Sequence, residues 1–129
     1  MDNFHDLCIN RRSIRRYTDK PLNPDDVKLI LEAGLMAPTS KSSRAWQFIV
    51  VEDKETLTRL NDVKPLGANA LKSAPLAIVV AVDTTRTEPW IEDASVAAAF
   101  MQLQAADLGM GSCWIQVRGR YTADDTPSE

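Results

Sequence analysis

The chain has 129 residues, 44% of them hydrophobic and 26% charged, with five Gly and a formal net charge of −3. That balance describes one ordinary domain with a buried core and excludes a disordered, fibrous or collagen-like chain. The negative net charge excludes general nucleic-acid affinity, so any anion must be held by a local cluster among the 15 basic residues.

In chain order, Asn3 can cap a short helix whose apolar face carries Phe4, Leu7 and Cys8. This helix exits into Arg11-Arg12-Ser13-Ile14-Arg15-Arg16. Asn23, Pro24 and the acidic pair Asp25 and Asp26 predict a second helix, because proline fits the first helical position and carboxylates favour the positive end of the dipole. Its apolar face, Val27, Ile30, Leu31, Gly34 and Leu35, lasts until Pro38. The hydroxyl-rich stretch Pro38 to Ala45 reads as a loop.

Trp46 to Val51 and Leu76 to Val82 are short, nearly continuous apolar runs that predict strands covered on both faces. Between them Asp53 can cap a helix carrying Leu57 and Leu60, followed by a looser segment through Pro65, Gly67 and Pro75. From Trp90 to Leu108 apolar residues nearly encircle the helix, which predicts a buried central helix stopped by Gly109. Cys113 to Val117 reads as a third strand, with Gly111 before it in a tight approach. Thr126-Pro127-Ser128-Glu129 has the pattern of a helix start, so more protein is expected to follow.

No stretch approaches the roughly 18 uninterrupted apolar residues of a membrane span. Met1 to Arg12 lacks the apolar core of a secretion signal, so a cytoplasmic protein without membrane partners is expected. Cys8 and Cys113 lie far apart with no CxxC spacing, and with His5 as the single histidine they make a poor metal-ligand set. Free, largely buried thiols are expected, with Cys113, Trp46 and Trp114 filling core and His5 on the surface. Arg11, Arg12, Ser13 and Arg15 offer planar donor forks and a hydroxyl suited to phosphate oxygens. On an extended backbone Arg11, Ser13 and Arg15 project to one side. Alone, this cluster reads as a solvated basic face, with a salt-sensitive nucleic-acid surface as the alternative. There is no Ser/His/Asp arrangement, phosphate-cradling Gly-rich loop or acid–base carboxylate pair, so catalysis would fall to a bound cofactor.

Three motifs taken together are more specific: Arg11-Arg12-Ser13-Ile14-Arg15, then Ala37-Pro38-Thr39-Ser40-Lys41-Ser42-Ser43-Arg44-Ala45-Trp46-Gln47-Phe48, then Gly109-Met110-Gly111-Ser112-Cys113-Trp114-Ile115. Their order and spacing resemble the nitroreductase family of flavoenzymes over essentially the whole chain. The resemblance implies an α+β, three-layer α/β/α fold with a small, mostly antiparallel mixed sheet, forming a single FMN-binding domain over residues 1–129. It implies a homodimer across the long central helix. Arg11, Arg12 and Ser13 would bind the FMN phosphate and ribityl chain, and Arg15 would lie near the pyrimidine end, where positive charge favours the anionic reduced flavin. Pro38, Thr39, Ser40 and Ser42 would reach the flavin of the partner subunit, and Ile115 and Gln116 would lie by the isoalloxazine.

The implied reaction passes hydride from NADH or NADPH to flavin N5 and then electrons to small organic acceptors such as nitroaromatics or quinones, with no catalytic side chain and no metal. Ser42 and Ala45 stand where many relatives have Asn and Pro, and the C-terminal segment usual in relatives is lacking. A non-catalytic flavin-binding module, or a degenerate fragment of such an enzyme, is the alternative.

Overall fold

A computed structural model describes residues 3–129; the first two positions of the Met1–Arg12 stretch lie outside the described residues. Among the described residues, three of the four α-helices form where a side-chain cap and apolar spacing coincide. Helix α1 (Phe4–Asn10) starts at Asn3, whose side chain accepts from the Asp6 amide. Helix α2 (Pro24–Leu35) starts at Asn23, which accepts from the Asp25 amide, with Pro24 in the first turn. Strand β1 (Trp46–Val51) is followed by α3 (Lys54–Leu60), capped by the Asp53 carboxylate on the Thr56 amide. Strand β2 (Ala77–Val82) precedes α4 (Trp90–Asp107), which ends two residues before Gly109 at φ +79°. The two strands pair into a small antiparallel sheet, so the α+β class holds.

Contacts divide the chain into two compact, interleaved units. One comprises residues 1–11, 22–49 and 78–110. Here α2 packs on α4, and Ile30, Met101 and Ala105 form a core with Phe48, Ile78, Val80, Leu108 and Met110 around it. A neighbouring cluster joins Ala37, Trp46 and Ala97, with the Trp46 and Phe48 rings stacked at 5.3 Å. Gly34 lies where the two helices meet, and a Cβ there would come within 2.9 Å of Met101 Cγ and Phe48 Cε2. Gly34→Ala therefore trades a helix-propensity gain of about 1 kcal/mol against overpacking of about 1–3 kcal/mol. The expected result is a lower thermal unfolding midpoint, measured by circular dichroism.

The other unit comprises residues 12–21, 50–77 and 111–129. Its core is Leu57, Ala68 and Leu71, packed by Val51, Leu60, Val63, Ala77 and Ile115. Here two expectations fail. Cys113 to Val117 is not a strand. Its composition suits one, but a strand needs a ladder, and the segment's pairing ends at a single parallel bridge between Ser13 and Ser112. Thr126 to Glu129 does not start a helix: Pro127 bridges to Tyr121, and the Thr122 hydroxyl accepts from the Thr126 amide in a tight turn.

Burial is also narrower than expected. Helix α4 buries one stripe, Asp93, Ala97, Met101 and Ala105 at i, i+4 spacing, while Phe100 is 39% exposed. Alanines on the remaining faces are too small to demand cover. Along β1, Gln47 and Ile49 are exposed, so that strand alternates instead of being covered on both faces. Trp46 is buried as expected, but Trp114 is 45% exposed, because without a sheet beneath it the indole turns to a local hydrogen bond with Gln116. Cys8 is exposed on α1 and Cys113 is half-buried, so the thiols are free but not sequestered. Among the described residues no helix is long and apolar enough to cross a membrane.

Candidate functional site

Beyond α1 the backbone turns from helical to extended at Arg11 (φ −61°, ψ 132°). Residues 12–17 are then tied down at several points within their own compact unit. Ser13 forms the bridge to Ser112, and the Ile14 amide donates to the Ser112 carbonyl at 2.9 Å. The Ile14 side chain sits over Gly111 so closely that a Cβ there would lie 2.8 Å from Ile14 Cβ. This contact explains why the residue must be glycine although its φ is ordinary. The Tyr17 amide donates to Ser73 Oγ at 3.1 Å, and the Tyr17 hydroxyl donates to the Ile14 carbonyl. Burial, reinforced by neighbouring Cys113, pushes the Tyr17 hydroxyl up to about 12, with Arg15 acting the other way. It therefore stays protonated and keeps its donor role. The result is a fixed extended rail bearing Arg12, Ser13 and Arg15, all exposed.

Ile115 and Gln116 belong to the same unit. The Ile115 side chain packs against the Leu57, Ala68 and Leu71 core, and Gln116 accepts from Trp114 Nε1 at 2.9 Å and donates to the Arg118 carbonyl at 3.0 Å. Both side chains thus have partners within their own unit.

Arg11 and the loop bearing Pro38, Thr39, Ser40 and Ser42 belong to the other unit. In this loop Lys41, Ser42 and Arg44 all have left-handed backbones, with φ of 52°, 53° and 49°. Each such non-glycine residue costs about 1–2 kcal/mol, so the loop persists only where its surroundings over-determine it. Local bonds supply part of this: the Ser42 amide donates to the Thr39 carbonyl at 3.2 Å, and the Arg44 amide to Thr39 Oγ1 at 3.1 Å. From outside the loop, Arg86 donates to the Ser43 carbonyl at 3.0 Å, and the Asp83 amide donates to the Ala45 carbonyl at 3.0 Å.

The remaining anchor is a residue that sequence reasoning passed over. Asp93, in the first turn of α4 and only 5% exposed, accepts from the Ser40 amide at 2.9 Å, from Thr87 Oγ1 at 2.8 Å and from Ser43 Oγ at 3.3 Å. Its place at the head of the Ala97, Met101, Ala105 stripe was the available signal, since that spacing puts a carboxylate on the buried face. Burial pushes this carboxyl up, but the Ser40 amide and the two hydroxyls together outweigh it, and the group sits below the usual carboxylate range. A group depressed in the folded state stabilises the fold above its unfolded pKa of about 3.9 and loses that contribution as pH falls through the folded value. Asp53, Asp83 and Asp124 are depressed too, so the informative quantity is a difference. Below about pH 4 the stability gap between wild type and Asp93→Asn should narrow, as measured by urea unfolding across pH.

The Nitroreductase family model matches residues 9–65, which carry the arginine rail and the whole Thr39–Ala45 loop. A Methanothermobacter thermautotrophicus protein whose name places it among the NADH dehydrogenase/NAD(P)H nitroreductases is 37% identical over 118 residues. That alignment covers 89% of this chain and 60% of the relative. An FMN-dependent nitroreductase from Clostridium difficile superposes with a TM-score of 0.92 at 49% identity, covering 95% of this chain and 71% of that one. The chain belongs to the nitroreductase family. A Bacteroides fragilis nitroreductase crystallised with bound FMN superposes with a TM-score of 0.77 at 27% identity, covering 89% of this chain and 70% of that structure. This family member thus spans about 60–70% of the length of these relatives.

Proposed function

We propose that this nitroreductase-family chain is the flavin-holding part of an FMN-dependent oxidoreductase that moves electrons from NADH or NADPH to small organic acceptors such as nitroaromatics or quinones. The observation that carries the reading is the fixed extended rail of Arg12, Ser13 and Arg15, held by the Ser112 carbonyl, the close seat over Gly111 and the Tyr17 hydroxyl. A guanidinium fork at Arg12 and the Ser13 hydroxyl on a pre-set backbone suit a phosphate monoester. The donor set therefore fits FMN, with Arg11 added to the phosphate end and Arg15 assigned to the flavin's pyrimidine end. Bound FMN would supply the two-electron chemistry, which no side chain here is equipped to perform.

The chain's own contribution is to hold and orient the cofactor. The backbone around Ile115 and Gln116 would border the ring. Pro38, Thr39, Ser40 and Ser42, on a loop whose backbone is fixed in advance, would present hydroxyls and amides to the flavin of a second copy. A homodimer across α4 accounts for the exposed Phe100 and Ile91 on a helix otherwise rich in small apolar residues. The net charge of −3 suits a cytoplasmic enzyme of small molecules and not a nucleic-acid binder.

The test is spectroscopic. Protein loaded with FMN should lose its flavin absorbance on anaerobic addition of NADH or NADPH and regain it when a quinone or nitroaromatic is added. Flavin that stays bound but never bleaches would reduce the protein to a non-catalytic flavin binder.

A further inference from the structure

We propose that Asp93 is a positioning residue for the flavin site: its carboxylate holds the loop 39–45 in the conformation that faces the ligand. The inference rests on the flavin reading for what the loop faces, and on geometry alone for what holds it. Three consecutive facts support it. The loop contains three left-handed non-glycine residues, Lys41, Ser42 and Arg44, a conformation that a free loop would leave. Its internal bonds start from Thr39 and Ser40 and close the turn on itself, so they set its shape but not its place. The carboxylate fixes the place together with Arg86 and the Asp83 amide, which hold the Ser43 and Ala45 carbonyls: Oδ1 takes the Ser40 amide, and Oδ2 takes the Ser43 and Thr87 hydroxyls.

Asp93 is suited to this because its own position is set by the rest of α4. Ala97, fully buried, and Met101 follow it down the same stripe into the core. The Ser40 and Ser43 part of the loop is thereby registered to the helix, while its Ala45 end is held by the Asp83 amide. Both ligand-side residues Ser40 and Ser42 sit within or beside the bonded stretch, so a release at Asp93 would move them together. Asp93 itself is buried beneath the loop and touches no ligand in this account.

The test compares wild type with Asp93→Ala and Asp93→Asn, using two readouts. The first is limited trypsin digestion, because Lys41 and Arg44 are exposed cleavage points inside the loop. Loss of the anchor should speed cutting after Lys41 and Arg44 by at least about tenfold, while cutting at Lys54 and Arg59 on α3 stays at the wild-type rate. Uniform acceleration at all four would indicate plain destabilisation and overturn the proposal. The second readout is FMN affinity by quenching of flavin fluorescence, expected to weaken at least about tenfold in Asp93→Ala and less in Asp93→Asn, which keeps one acceptor oxygen. Should Asp93→Ala fail to fold, the double variant Ser43→Ala, Thr87→Val removes two donors and leaves the Ser40 contact, and about a threefold effect on both readouts is expected. Wild-type affinity in Asp93→Ala would sink this proposal and leave the flavin reading intact. Failure of wild type to bind FMN would sink the flavin reading, and the digestion pattern alone would then decide whether Asp93 positions the loop.

Discussion

Replacing Arg12 and Arg15 together by alanine is expected to weaken FMN binding by at least about 100-fold while leaving the unfolding midpoint within a few degrees of wild type. Both side chains are exposed, and exposed substitutions usually change stability by less than about 0.5 kcal/mol. The backbone beneath them is held by Ser112, Ser73 and the Tyr17 hydroxyl, none of which the change removes. A hydrogen bond to a charged group is worth about 1.5–3 kcal/mol, so losing two of them removes roughly 3–6 kcal/mol of binding. Titration of apo-protein with FMN, followed by fluorescence, checks it. An affinity change below about threefold would remove the arginines from the cofactor site.

Gly111→Ala should damage both fold and site. Its Cβ would meet Ile14 Cβ at 2.8 Å, Cγ2 at 2.9 Å and Cγ1 at 3.0 Å, closer than van der Waals contact permits, so one of the two segments must shift. Overpacking of this kind costs about 1–3 kcal/mol. Because Ile14 stands between Ser13 and Arg15, the shift is passed directly to the proposed cofactor-binding groups, and FMN affinity should fall at least about tenfold. Adding Ile14→Ala should restore only part of the loss, since the nearest clash is with Ile14 Cβ itself. Thermal unfolding and FMN titration of the single and double variants separate the two effects.

These residues also show what local sequence could and could not convey. Asn3, Asn23 and Asp53 announced three helices because a cap and the amide it serves lie two or three positions apart. The arginine cluster was legible for the same reason, with its members in a single run. The supposed strand at Cys113 to Val117 failed because strand formation is a property of pairs, and the partner segment is about a hundred residues away at Ser13. Within one chain α4 buries a single stripe, because apolar composition does not say which element covers each face. Asp93 went unnoticed because its significance lies in Ser40 and Ser43, 53 and 50 positions earlier, and no local spacing relates them. The left-handed run through Lys41, Ser42 and Arg44 was likewise invisible, since none of these is the glycine that usually signals such a backbone.

The proposed site stands on recognition of a phosphate by the anchored arginine segment. The most direct measurement is therefore a comparison of FMN with riboflavin, which has the same ring and ribityl chain but no phosphate. Binding of FMN at least about 100-fold tighter than riboflavin, with the difference collapsing in an Arg11, Arg12 double variant, is the expected result. Equal affinity for the two would contradict it, because the guanidinium groups would then have no anion to hold.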